Sequence, residues 1–215
     1  MNETIPFRFL DKSNWPQSLG RYDINSNKIK DMIVKLDKGG WEIGLHGSIA
    51  SYNNLDLLQK EKETLENIIG KKIIGTRQHW LNLQIPQTWN IHREIGLKYD
   101  SSFGLKYDVG FKQNIFRPFR PFNDNFLVFP IAIMDTFLFG MNLSYEDKVK
   151  KVIETIEIAH ENNALLTILW HQCSFCETDF KHFKNIYELI IRECKKRKAW
   201  FGTGKEIYGH LESYM

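Results

Sequence analysis

Short apolar runs alternate with longer amphipathic ones along almost the whole chain, and this alternation leaves few folds open. Apolar residues three and four apart mark a helix with one buried face, whereas a brief unbroken apolar run marks a buried strand. In "NSNKIKDMIVKLDKGG" Ile29, Ile33 and Leu36 share a helical face, and Gly39 and Gly40 stop it. "NNLDLLQKEKETLENIIG" repeats the pattern with Leu55, Leu58, Leu65, Ile68 and Ile69, closing at Gly70. Strands are expected at "IPFRFLD" (5–11), at 41–46 and in "KKIIGTRQHW". A helix with Pro86 in its first turn ends at Gly96, and "LKYDSS" follows as a short extended piece. From 103 to 143 the pattern loosens into an aromatic, proline-rich loop, "GFKQNIFRPFRPFND", and then one apolar strand, "NFLVFPIAIMD". Ser144 and Asp147 resemble a capping box that opens a helix to about Asn162. "ALLTILWH" is a buried strand, Phe180 to Lys196 a helix, "AWFGT" a strand and "GKEIYGHLES" a last helix.

Strands that alternate with helices imply an α/β fold, a mainly parallel sheet with helices outside. The 215 residues suffice for one domain over 1–215, and no stretch reads as a linker. In open sheets and barrels of this kind the active site gathers at the C-terminal ends of the strands. Those ends carry His46 ("GLHGS"), Arg77 and His79 ("GTRQHW"), Asp100 ("KYDSS"), Asp135 ("AIMD") and His171 ("TILWHQ"). Neutral imidazoles that converge suit a borderline divalent ion, zinc above all. An ion with an open position brings the pKa of its water to about 7 and polarises a carbonyl. His171, at the end of an apolar strand, suits the acid that protonates a leaving group. Any one of these histidines is as well explained by a bond to neighbouring backbone; histidines on successive rim positions favour chemistry. His92, His160, His182 and His210 fall within helical patterns and read as packing or surface residues.

The net charge of +3 is small and its lysines are scattered, which argues against a nucleic-acid partner. No apolar run reaches membrane-spanning length, and Met1 to Trp15 lacks the apolar core of a signal peptide, so a cytoplasmic protein is expected. Three cysteines are an odd number and argue against a disulfide framework. Cys173 and Cys176 form a C-x-x-C pair, "HQCSFC", which alone is weak support for a zinc knuckle or a redox pair. No glycine-rich phosphate loop follows the first strand, which disfavours a nucleotide cofactor; "FGTGKEI" comes too late. Oligomeric state leaves no mark in the sequence.

"WEIGLHGSIASYNN", "GTRQHWLN", "GLKYDSSFG…GFKQNIFRPFRPF", "FPIAIMD" and "LLTILWHQCSF" occur in an order that resembles polysaccharide deacetylase-like proteins. These belong to the carbohydrate esterase family four superfamily, and the likeness runs from "RYDIN" to "GTGKEI". The resemblance implies a distorted, incomplete (β/α) barrel that removes acetyl groups from a carbohydrate with a divalent metal, in surface polysaccharide biosynthesis. It implies His46 as a metal ligand, Arg77 as the group orienting the catalytic carboxylate, Asp100 as a site-lining residue and His171 as the general acid. The family's second metal histidine falls where this chain has Ala50, and His79 on the neighbouring strand is the proposed replacement. The first-motif aspartates normally precede the strand matching "IPFRFLD", whereas Asp11 and Asp23 follow it. A shortened deacetylase is therefore expected, or a carbohydrate-binding remnant in which Trp80, Phe103, Phe111 and Phe119 are candidates to stack on sugars.

Overall fold

The computed structural model describes residues 7–9 and 23–213. In chain order the strands are β1 Phe7–Phe9, β2 Ile43–Gly47, β3 Gly75–Gln78, β4 Tyr99–Asp100, β5 Leu127–Val128, β6 Ile131–Met134 and β7 Thr167–Leu169. The helices are α1 Asn27–Lys38, α2 Leu55–Ile69, α3 Gln87–Glu94, α4 Asp135–Gly140, α5 Tyr145–Glu161, α6 Phe183–Lys196 and α7 Gly204–Glu212. The strand expected over 5–11 lies partly outside the described residues, as does Asp11. The chain divides into two compact units.

The first unit holds residues up to Ser102 together with 120–128 and the segment from Phe201. Its sheet runs β1-β2-β3-β4-β5, with every neighbouring pair parallel. Ile33 of α1 and Leu58 and Leu65 of α2 bury against Ile43, Leu45, Ile73 and Leu97, so the predicted helical faces form this core. Asn54 caps α2 by accepting from the Leu57 N–H. Tyr99 fills space that glycines leave open: a Cβ on Gly75 would lie 2.1 Å from its ring, and one on Gly204 2.2 Å from its hydroxyl oxygen. The Tyr99 hydroxyl donates to Glu42, whose carboxylate also accepts from the Lys205 N–H at 2.9 Å.

The second unit comprises 103–119 and 129–200, with β6 and β7 paired in parallel. Val152 and Ile156 of α5 and Ile186 and Ile190 of α6 are buried, as are Ile133 and Leu138. Ser144 accepts from the Asp147 N–H at 3.0 Å and opens α5 as expected. The loop at 103–119 is tied down by a bridge between Gly104 and Ile131 and by the Gly110 N–H on Ala132 O.

Two expected strands differ. "NFLVFPIAIMD" divides into β5 and β6 around Pro130, which has no N–H for a ladder, and the two halves join different sheets. "AWFGT" makes no ladder among the described residues: Trp200 is 61% exposed, and Thr203 is consumed as the cap of α7. There Thr203 Oγ1 accepts from the Glu206 N–H while Glu206 accepts from the Thr203 N–H.

Candidate active site

In the first unit, register decides which side chains meet. His46 pairs with Arg77 and Gly47 with Gln78 across β2 and β3. Side chains of paired residues share a face, and alternate residues of a strand share it too. His46, Arg77 and His79 therefore stand on one face of the sheet. The two rings meet edge-on at 87°, with His46 Nε2 3.1 Å from His79 Nδ1. Two ring nitrogens this close cannot both keep bare lone pairs, so a proton or a cation belongs between them. Arg77 is buried, and its Nε donates to the Ser101 carbonyl at 2.9 Å, fastening the end of β3 to the end of β4.

Asp100 does not share that face. It pairs with Thr76, so its carboxylate points the other way, toward α3. It is fully buried and accepts from Ser102 N–H at 3.0 Å, Ser102 Oγ at 2.5 Å and Trp89 Nε1 at 3.3 Å. His92, also fully buried, holds Nδ1 3.7 Å from Asp100 Oδ1 and Nε2 3.0 Å from the Gln78 amide nitrogen. That arrangement assigns the tautomer. Nδ1 carries the hydrogen facing the carboxylate, and Nε2 accepts from the Gln78 amide. Burial pushes the His92 pKa down despite the favourable charge of Asp100, so the ring is neutral. Gly47 has no side chain because the Gln78 amide occupies the space: an added Cβ would lie 2.3 Å from Gln78 Oε1. Asp100 thus faces away from His46 and His79, with His92 between it and the Gln78 amide at the end of β3.

Beyond His79 the backbone turns sharply. Trp80 and Leu81 are both left-handed, at φ 57° and 52°, which for non-glycine residues costs about 1–2 kcal/mol each. The turn buries Leu81 and leaves Trp80 55% exposed, its indole stacked on the His79 ring at 5.8 Å. Phe103, by contrast, is buried.

The second unit carries an aspartate–histidine dyad. Asp135, fully buried, opens α4 directly after β6, and His171 follows β7. His171 Nδ1 lies 2.7 Å from Asp135 Oδ1, and the His171 N–H donates to Asp135 Oδ2 at 2.7 Å. Ser174 Oγ adds a bond to Oδ2 at 2.6 Å, and the Thr136 N–H one to Oδ1 at 2.7 Å. Burial alone would raise the Asp135 pKa, but the donors from His171 and Ser174 together hold it below the ordinary carboxylate value. The His171 side chain is 41% exposed. Ser174 carried no signal in the sequence.

Among the described residues no group of three or more His, Cys, Asp or Glu side chains gathers to hold an ion. His46 and His79 fit part of a zinc donor set, two imidazole nitrogens 3.1 Å apart.

No sequence-family profile matches the chain, and no curated protein does. Solved structures match. A chain from Mycobacterium smegmatis described as a polysaccharide deacetylase superposes with TM-score 0.62 at 14% identity, over 89% of this chain and 70% of that one. A structure of Puue Allantoinase gives TM-score 0.60 at 16% identity, over 86% of this chain and 64% of that one. A chain from Pseudomonas aeruginosa PAO1 described as a polysaccharide deacetylase gives the same figures, 0.60, 16%, 86% and 64%. The chain has the α/β fold of the polysaccharide deacetylases, in agreement with the resemblance carried by its ordered motifs. It spans 64–70% of the length of these structures.

Proposed function

We propose that the chain serves a carbohydrate deacetylase, a hydrolase that removes an acetyl group from a sugar through a divalent metal, zinc by preference. The observation that carries this reading is the Asp135–His171 dyad. Asp135 holds Nδ1 of the ring, which leaves Nε2 on the exposed side to deliver or take a proton. In deacetylation that proton goes to the departing sugar nitrogen or oxygen as the bond to the acetyl carbon breaks. His46 and His79 would hold the metal, which when bound supplies an activated water at neutral pH and polarises the acetyl carbonyl. Arg77 lies on their face of the sheet and supplies a fixed positive charge to orient a carboxylate. Trp80 offers an exposed aromatic face to a pyranose ring, which supports a carbohydrate as the ligand.

The test is acetate release from N-acetylated and O-acetylated oligosaccharides by the zinc-loaded protein, beside cobalt binding followed by visible absorption. Cobalt binding that vanishes in His46→Ala and His79→Ala, together with acetate release, supports the reading. Trp80 also favours a second reading, a non-catalytic carbohydrate-binding remnant. Sugar binding that falls in Trp80→Ala, with no acetate released by any metal-loaded form, would establish that reading instead.

A further inference from the structure

The C-x-x-C pair has no part in the chemistry above, yet the fold gives it a specific setting. Cys173 lies in the 3₁₀ turn Gln172–Phe175, and Cys176 caps it with φ −78°. The Cys176 N–H donates to the Cys173 carbonyl at 2.9 Å. Three residues of a 3₁₀ turn make nearly one full revolution, which brings Cys176 back to the side of the turn on which Cys173 stands. A turn closed in this way keeps its end Cα atoms within about 7 Å, overlapping the roughly 4.4–6.8 Å that disulfides span. Both thiols are exposed, and Cys176 Sγ is 3.5 Å from Asp179 Oδ2. Among the described residues no third ligand joins the pair to complete a metal site.

We propose that Cys173 and Cys176 are a redox modification site, a dithiol that closes to a disulfide by exchange with a small-molecule disulfide. One cysteine thiolate attacks the small disulfide, forming a mixed disulfide and releasing one small thiolate. The second cysteine thiolate then attacks the protein-bound sulfur, closing the Cys173–Cys176 bond and releasing the other. The two cysteine protons end on the two released thiols, so the protein loses two electrons and the small disulfide gains them.

The turn makes this more than a surface change. Ser174, between the cysteines, is buried and donates to Asp135, while its own N–H binds the His171 carbonyl at 3.0 Å. Disulfide closure fixes the Cβ atoms at about 3.8 Å, and Ser174 lies in the segment that the bond would lock. Oxidation therefore acts on the strut that holds the dyad.

The experiment equilibrates the whole protein with oxidised glutathione and reads intact mass and alkylated peptides. The expected result is a loss of roughly 2 Da with Cys173 and Cys176 joined. Cys194, buried and with its thiol pKa raised by that burial, should stay reduced as an internal reference. Cys173→Ser and Cys176→Ser should each stop at a stable glutathione adduct on the remaining cysteine. The His171 ring resonances should shift on oxidation of the native protein and return on reduction. Glutathione adducts on both cysteines of the native protein without closure, or no reaction at all in excess oxidant, would overturn the proposal. Closure that leaves the His171 resonances unmoved would overturn its link to the dyad.

Discussion

Two aspartate–histidine pairs in this molecule are built from the same residues and differ in almost every physical respect. Asp100 and His92 are both fully buried, with 3.7 Å between them, and the histidine spends its second nitrogen on Gln78. Asp135 and His171 meet at 2.7 Å, with the carboxylate buried and the ring 41% exposed. A neutral buried imidazole with both nitrogens directed at protein groups can hold a strand end in place but cannot exchange a proton with a ligand. An imidazole gripped through Nδ1 and open at its other edge can. Residue type therefore says little about role, and the accessible nitrogen decides it. The first pair belongs to the frame, and the second has the access that the proposed chemistry needs.

The largest expected effect breaks the pairs apart by activity. Should the deacetylase reading hold, His171→Ala should lower acetate release about 10²–10⁴-fold, the usual worth of an acid–base group, with the melting temperature nearly unchanged. His92→Gln should instead leave turnover within a few-fold while lowering stability, because its amide still accepts from Gln78. The opposite pattern, activity lost with His92 and kept without His171, would exchange the two roles.

Next in size is an attack on the frame through backbone spacing. Gly75→Ala puts a methyl 2.1 Å from the Tyr99 ring, and Tyr99 directly precedes Asp100 on β4. Overpacking of this kind costs about 1–3 kcal/mol, and Tyr99 has little room to retreat because Gly204 bounds it as well. Urea unfolding should show the loss. Tyr99→Phe in the same background should restore only part of it, since the added methyl meets the ring at 2.1 Å as well as the hydroxyl oxygen at 2.2 Å. A native-like unfolding midpoint for Gly75→Ala would show that β4 shifts freely, which would weaken the picture of a rigid bracket around Asp100.

The difference between the pairs also explains what could be read from sequence. His46, Arg77, His79, Asp135 and His171 were visible because each stands where an apolar run stops. Arg77 on β3 and His79, two residues on and just past the strand's end, share a face because the backbone between them is still extended. The same alternation places Asp100 with Thr76 on the opposite face, but only the pairing register reveals this, and register depends on contacts far apart in sequence. His92 was read as a packing residue, which it is, yet its polar partners come from two different strands. Trp89 and His92, three apart on α3, share its buried face, and both side chains reach toward Asp100. "NFLVFPIAIMD" read as one strand because its apolar content outweighed Pro130, whose missing N–H divides it between sheets.

The smallest effect, and the sharpest comparison, is in the pH dependence of stability. Burial lowers the His92 pKa, so below the unfolded histidine value of about 6.5 the unfolded chain takes a proton that the native chain refuses. Stability is then full above about pH 6.5 and declines as pH falls toward the native value, by at most about 1.4 kcal/mol per pH unit for one proton. Asp135 acts in a different window. Burial opposes its ionised form, but the bonds from His171 and Ser174 prevail and its native pKa is lowered. Its contribution is fully present above the unfolded carboxylate value of about 3.9 and is lost as pH falls through the lower native value. Between about pH 6.5 and 5 the frame pair therefore loses stability while the Asp135 contribution is constant. Urea unfolding of the native protein and of His92→Gln at a series of pH values in that interval separates them: the variant should show a shallower decline, with the two curves converging toward acid. Parallel curves would mean that His92 takes up its proton in the folded state, and the neutral bracket between Gln78 and Asp100 would have to be abandoned.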